Sequence, residues 1–409
     1  MLATSSAQAG QVDLSVEGRL GGESNVFRSE TNRVKDGTFE ITPRLGVQER
    51  NDDLSYSLFY MPTHRTFIET SGIDGFDHRA RATGGWALSD VDRIEATGSY
   101  YNGRQFRSED TAAGPAQSFE FNDRERIGIA ELNLGYQRLL SPRTSVGLGF
   151  DFEDFDAAGT SANSQTDSRA YTGRISLRHS LNEITQVGVS VSGRRRENRA
   201  VDPQPQDPRT STETDVWDVL FSVSRSLSPT MDVSVQAGPS FIRQQQLPSD
   251  SPFADFPFVP QDIGKEESRD VTVFAAASVE KRWQATNVGL SYVRSEARSG
   301  STSSSSSISD VVELSTRHQF SDALTARWLL SWNRFDQIAS QAGGDRRFEL
   351  TSIRSTASVD YVINRRLSLV GRYTFLWQVV DRSGLEIPSR VNVHLGSVGI
   401  RYTFEPLSY

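Results

Sequence analysis

One pattern constrains this chain more than any other. Stretches of about ten residues alternate apolar with polar or small side chains, and the links between them alternate short with long. Phe39, Ile41, Pro43, Leu45 and Val47 alternate with Glu40, Thr42, Arg44, Gly46 and Gln48. The tight link Asn51-Asp52-Asp53 then leads to Leu54, Tyr56, Leu58 and Tyr60. Later pairs of stretches meet at Ser89-Asp90, Leu140-Ser141-Pro142-Arg143, Asn182-Glu183, Leu227-Ser228-Pro229-Thr230, Ser321-Asp322 and Asn364-Arg365. Asn, Asp, Ser and Pro suit tight turns because their side chains or fixed φ reproduce turn geometry. The intervening links are long and polar. A soluble sandwich has no reason to sort its connections this way. An up-and-down barrel inserted into a membrane from one side does, and the pattern predicts an all-β, transmembrane antiparallel β-barrel of about 18 strands. Pro43 lacks a ladder donor, so its strand should carry a bulge or a local break there.

Composition agrees. The 409 residues carry a formal charge of -8 and no cysteine, with 36% hydrophobic residues. Mean hydropathy is -0.48. No run approaches the roughly 18 apolar residues of a membrane helix, whereas a barrel strand meets lipid with only every second residue. Absence of cysteine removes disulfides, thiol catalysis and cysteine metal sites. The basic residues are scattered, which argues against nucleic acid as a partner.

One parity of each stretch predicts a lipid face, the other a water-filled lumen. The candidate lumen charges are Arg44, Arg79, Arg81, Glu95, Arg174, Arg178, Glu313, Arg317, Arg327, Arg354, Arg372 and Arg401, with Arg93, Glu131, Asp218 and Asp360 among their neighbours. Each would cost a few kcal/mol in lipid, so each must face water or another charge. Two roles stay open: cross-strand ion pairs that stiffen the wall, or a positive constriction that passes acidic solutes such as uronic-acid sugars. Aromatic residues near strand ends (Tyr100 and Tyr101, Tyr136, Phe150 and Phe152, Trp328 and Trp332) suit interfacial girdles.

Among the long links, Gln244 to Ser268 is distinctive. It carries Phe253, Phe256 and Phe258 among prolines. Exposed phenylalanines seek burial, so the link is a plug, a partner-docking site or a packed cap. Arg194 to Arg196, near a strand end, could meet lipopolysaccharide phosphates or simply be solvated. Ala7-Gln8-Ala9 has the small-x-small form of a signal-peptidase site. The expected organisation is therefore residues 1–10 as a signal-peptide remnant or flexible terminus, 11–404 as one barrel, and 405–409 as a short tail.

Buried chemistry is weakly signalled. The histidines are His64, His78, His179, His318 and His394, and none falls in a metal-ligand spacing such as HExxH. A Ser-His-acid site around His394 would be a coincidence of a serine-rich chain. No GxSxG or phosphate loop occurs. No catalytic, cofactor or metal site is expected.

Two resemblances sharpen the class. Ser397-x-Gly399-x-x-Tyr402-x-Phe404 resembles the C-terminal signal by which the outer-membrane barrel assembly machinery recognises its substrates, although Glu405 to Tyr409 follow the aromatic here. Gly18 to Arg28, reading GRLGGESNVFR, resembles the Y-D-S-N-V-F-R signature at the end of the first strand of the β-barrel porin 2 group, with Gly22 and Glu23 replacing its tyrosine and aspartate. Phe39 to Leu45 resembles the I-T-P-x-L second strand of that group and of a related barrel group from exosortase-linked clusters. The resemblance implies a Gram-negative outer-membrane location. It also implies a role in exopolysaccharide or biofilm-matrix export, with polysaccharide or periplasmic export proteins as partners. A solute-uptake porin and a non-conducting barrel that anchors surface polymer are the rival expectations.

Overall fold

The computed structural model describes residues 8–51, 53–104, 126–158, 166–200, 211–247, 267–298, 306–337, 348–382 and 389–408. Eighteen long strands follow one another: β1 Gln8–Glu23, β2 Asp36–Arg50, β3 Leu54–Phe67, β4 Gly75–Ala87, β5 Asp92–Gly103 and β6 Arg126–Ser141. Then come β7 Thr144–Ala158, β8 Thr166–Ser180, β9 Thr185–Ala200, β10 Ser211–Ser228, β11 Met231–Leu247 and β12 Glu267–Arg282. The last six are β13 Thr286–Arg298, β14 Ser306–Gln319, β15 Leu324–Gln337, β16 Phe348–Val362, β17 Leu367–Arg382 and β18 Ser389–Thr403. A two-residue β19, Leu407–Ser408, adds to the base of β1 at Gln11 and Val12.

Each strand pairs antiparallel with its sequence neighbour, and β1 closes the barrel against β18 from Ser15↔Thr403 to Glu23↔Leu395. The fold is thus a closed, 18-stranded up-and-down barrel. Closure pairs the strands on both sides over most of their length, which is what lets so many amphipathic strands coexist.

The short links are built as their residues predict. The Asn51 Oδ1 accepts from Leu54 N at 2.6 Å and the Ser89 Oγ from Asp92 N at 3.0 Å. The Ser321 Oγ accepts from Leu324 N at 3.1 Å and the Asn364 Oδ1 from Leu367 N at 3.0 Å. These side chains satisfy backbone donors that the sharp reversal leaves without ladder partners. In the last of these turns Arg366 bonds the Glu405 carboxylate of the tail, which raises the pKa of its guanidinium.

The break expected at Pro43 is present, and its cause is double. Pro43 lies in register with Pro62, and the β2–β3 ladder skips from Ile41↔His64 to Leu45↔Tyr60 without a shift. Two residues without N–H groups face each other, so no bulge is needed. Thr42 and Thr63 bridge the gap through their hydroxyls at 3.1 Å. The girdle reading needs one correction. Tyr100 faces outward, but its neighbour Tyr101 must face the lumen, where the Arg79 guanidinium lies 5.7 Å from its ring centroid.

Candidate functional site

Parity sorts the wall into two chemically different faces. The outer face exposes apolar side chains round the barrel, from Leu14 on β1 through Ile175, Phe221, Val235 and Leu290 to Ile400 on β18. Such a continuous apolar surface is far larger than a water-facing monomer tolerates.

The inner face changes character along its height. Towards the long loops it is packed with buried side chains of both kinds: Ile127 and Phe155 (β6, β7), Val216 and Ile242 (β10, β11), Val311 and Phe335 (β14, β15) lie among Thr214, Gln244, Ser309 and Asn333. Leu376, Val391 and Val393 of β17 and β18 form one cluster there, with Leu395 against it. Towards the short turns the inner face is open and charged. A cavity of about 540 Å³ runs from Asn287 near the 283–285 turn up to Glu23 and Arg28. Its lining includes Arg28, Arg317, Arg327, Arg354 and Arg372 against Glu23, Glu40, Glu280 and Glu313. That volume falls within the roughly 300–1,000 Å³ usual for small-ligand sites.

Arg28 reaches this chamber through a structured connection between β1 and β2. The buried Asn25 accepts from Ser29 N at 3.0 Å and donates to the Ser29 carbonyl at 2.7 Å. The Val26 N–H donates to the Val34 carbonyl at 2.8 Å, with the Val26 side chain wholly buried. Arg28 sits at the left-handed φ of 52° that this tight loop imposes. The Ser-Asn-Val-Phe-Arg stretch therefore folds as a unit that delivers a guanidinium to the chamber.

A line of alternating charge crosses the barrel's closing seam. Arg65 on β3 meets Glu40 on β2 at 2.6 Å, and Glu40 is 4.0 Å from Arg19 on β1. Arg19 also bonds Glu17, which Arg401 on β18 reaches at 2.8 Å. Arg401 continues to Asp360 on β16 at 3.4 Å, and Asp360 to Arg327 on β15 at 3.6 Å. Gly399, opposite Arg19 in register, leaves room for that side chain: a Cβ there would come within 2.6 Å of the Arg19 Cγ.

The candidate lumen charges divide accordingly. Glu313, Arg317, Arg327, Arg354 and Arg372 come together in the chamber. Glu95, Arg174 and Arg178 line a separate cavity of about 330 Å³ with Arg93 and Asp151. Arg401 belongs to the seam. Arg44 stacks 5.2 Å from the Phe59 ring centroid and donates to the Met61 sulfur at 3.6 Å. Arg81 shares its rungs with Phe59 and Ser99.

Phe253, Phe256 and Phe258 lie outside the described residues. Ser397 lines the chamber, and the Tyr402 and Phe404 rings meet edge-on outside, 5.0 Å apart. The Arg194–Arg196 run is split by parity: Arg195 faces outward against Glu213, while Arg194 and Arg196 turn into the lumen against Glu296. The His394 Nδ1 lies 2.7 Å from the Tyr373 hydroxyl. Sequence reasoning missed Glu17, Arg19, Arg28, Arg65 and Glu296. For Arg28 the available signal was Val26-Phe27, an apolar pair in an otherwise polar connection.

No family model matches the chain, and no curated protein matches it in sequence. Among solved structures, it is similar to the ferric-catecholate import receptor Fiu from E. coli K12 at 8% identity. That match covers 97% of this chain and 82% of Fiu, with a TM-score of 0.45. OpdQ of Pseudomonas aeruginosa matches at 7% identity, covering 98% and 100% of the two chains, with a TM-score of 0.44. OccAB3 of Acinetobacter baumannii matches at 10% identity over 97% and 99%, with a TM-score of 0.43.

Proposed function

We propose that this chain is an integral outer-membrane barrel of a Gram-negative bacterium that takes an anionic polysaccharide from the periplasm into its arginine-lined chamber and passes it outward through a gated upper lumen. The observation that carries this reading is the chamber, which extends to the short turns and sets five guanidiniums against four carboxylates beneath a packed upper wall. Short turns mark the periplasmic end of barrels inserted from that side. Guanidiniums bind carboxylates in paired hydrogen bonds, so they favour uronate-bearing saccharides over neutral ones. The resemblance of Gly18 to Arg28 to a barrel group of exopolysaccharide clusters supports the same substrate class. The Ser397–Phe404 spacing fits delivery by the barrel assembly machinery.

Single-channel recording in planar bilayers tests this. Intermittent conductance is expected, blocked by oligogalacturonates added on the short-turn side and unaffected by malto-oligosaccharides. Arg354→Gln with Arg372→Gln should weaken that block about tenfold, through loss of charge-assisted hydrogen bonds. Steady conductance indifferent to acidic sugars would instead make this an uptake porin. The packed upper lumen favours a second reading, a non-conducting anchor, and silence after verified insertion would overturn the open channel and leave the anchor ahead.

The membrane location has its own test. Val235 lies on the outer face and is half exposed. Val235→Arg should destabilise the barrel by about 2–4 kcal/mol when folding into lipid vesicles is measured. Unchanged stability would sink the lipid-facing assignment of that surface.

A further inference from the structure

The wall does not stay closed along its whole height. β12 pairs with β11 up to Gln245↔Glu267, but with β13 only up to Ala275↔Arg294. β13 nevertheless continues against β14 to Arg298↔Ser306. Above Arg294 the β13–β14 hairpin has therefore left its neighbour.

Its side chains show where it goes. Arg294 and Glu296 lie on the same face of β13 as Leu290, which is exposed on the outside lower down. Strict parity would aim Glu296 at the exterior. Instead it is buried and bonds two inward-facing residues of β9, Arg196 at 2.7 Å and Arg194 at 3.3 Å. β9 is four strands away, about 19 Å along a flat wall. The pair can form only because the upper strand ends of the hairpin, residues 294–298 and 306–310, are turned into the lumen towards the inner face of β9. Arg294 is held to Asp310 across the same strand ends at 3.0 Å.

The β9 side of this contact has polar capacity left over. Among the described residues the Arg196 Nε and the Asn198 Oδ1 have no hydrogen-bond partner, although both residues are buried. Arg194 also donates to Thr172 at 3.3 Å. A single carboxylate from Glu296 thus meets two guanidiniums and leaves a buried donor and acceptor beside them. Uronate rings carry that combination, a carboxylate with adjacent hydroxyls.

We propose that Arg194, Arg196 and Asn198 form a binding site for a uronate residue, and that Glu296 occupies it in place of the ligand while the barrel is closed. An acidic saccharide arriving from the chamber displaces Glu296, and the released strand ends of the β13–β14 hairpin move off the lumen. This rests on the anionic-saccharide reading above and adds a second site with a gating role.

The test combines single-channel recording with calorimetric binding of trigalacturonate to the purified barrel. Glu296→Gln should lengthen open times about tenfold and tighten trigalacturonate binding by a similar factor, because the internal competitor has lost its charge. Arg194→Gln with Arg196→Gln should also lengthen open times, yet weaken binding below wild type. Either variant suffices if the other fails to fold, with folding checked by heat-modifiable gel migration. A folded variant with wild-type open times and affinity would overturn the latch, and would leave the chamber reading intact if Arg354→Gln with Arg372→Gln still weakened the block. Indifference of every variant to acidic saccharides would overturn both.

Discussion

Replacing Glu17 with alanine is expected to lower the barrel's stability by about 3 kcal/mol, the lower end of the cost of breaking a buried ion pair. Glu17 is 7% exposed and stands at the closing seam, between Arg19 on its own strand and Arg401 on β18. Its removal leaves two guanidiniums facing each other across the seam that joins β1 to β18. Each keeps a second carboxylate, Glu40 for Arg19 and Asp360 for Arg401. That holds the loss to the lower end of the range. The same chain of charge supplies the control. Arg327 at its far end is about half exposed, so Arg327→Ala should cost under about 1 kcal/mol. Denaturant titration in lipid vesicles, followed by tryptophan fluorescence, reads both. Equal losses in the two variants would mean that the seam network is no more than a solvated row of charges. A large loss only at Glu17 would identify electrostatic closure as a step that stabilises the finished barrel.

The contrast between these two residues also explains what the sequence could disclose. Period-two alternation and sorted link lengths are local properties, so strands, turns and the inward parity of Arg327 or Arg354 could be read directly. Partnership between charges is not local. The Glu17–Arg401 pair depends on the closing register, which brings together residues 384 positions apart. No pattern within either strand encodes it. The three arginines Arg194 to Arg196 invited reading as one surface cluster, yet alternation sends the middle one to the opposite face. Glu296 was hidden for a different reason. Its parity is regular along β13, but the strand itself leaves the wall, so a residue on the outward face ends inside. Arg28 was hidden because a loop, not a strand, carries it. The left-handed turn that aims it depends on Asn25 bonding Ser29, a contact that alternation cannot announce.

Gly238→Ala is expected to destabilise the barrel by about 3 kcal/mol, at the upper end of overpacking costs. A Cβ at this position would collide with the Val219 carbonyl and lie 3.0 Å from the Leu220 Cα, both backbone atoms of β10 that cannot rotate away. Pro239 beside it supplies no N–H, and the β10–β11 ladder is interrupted between Asp218↔Ser240 and Phe221↔Ala237. The two backbones close up where the ladder fails, and only glycine leaves space for that. Gly371→Ala is the matched control, since a Cβ there meets nothing within 4 Å, and it should stay within about 0.5 kcal/mol of wild type. The position of Gly238 gives the pinch a second consequence. Gly238 pairs with Phe274, the first residue of β12 above the last rung shared with β13 at Ala275. The crowding of β10 on β11 therefore sits at the height at which the β13–β14 hairpin departs. A wall bent at that height would help the departing strand ends reach β9, where Glu296 meets Arg196. Gly238→Ala should then lengthen open times as Glu296→Gln does, whereas Gly371→Ala should not. Loss of stability without any change in gating would separate the pinch from the latch and confine Gly238 to packing.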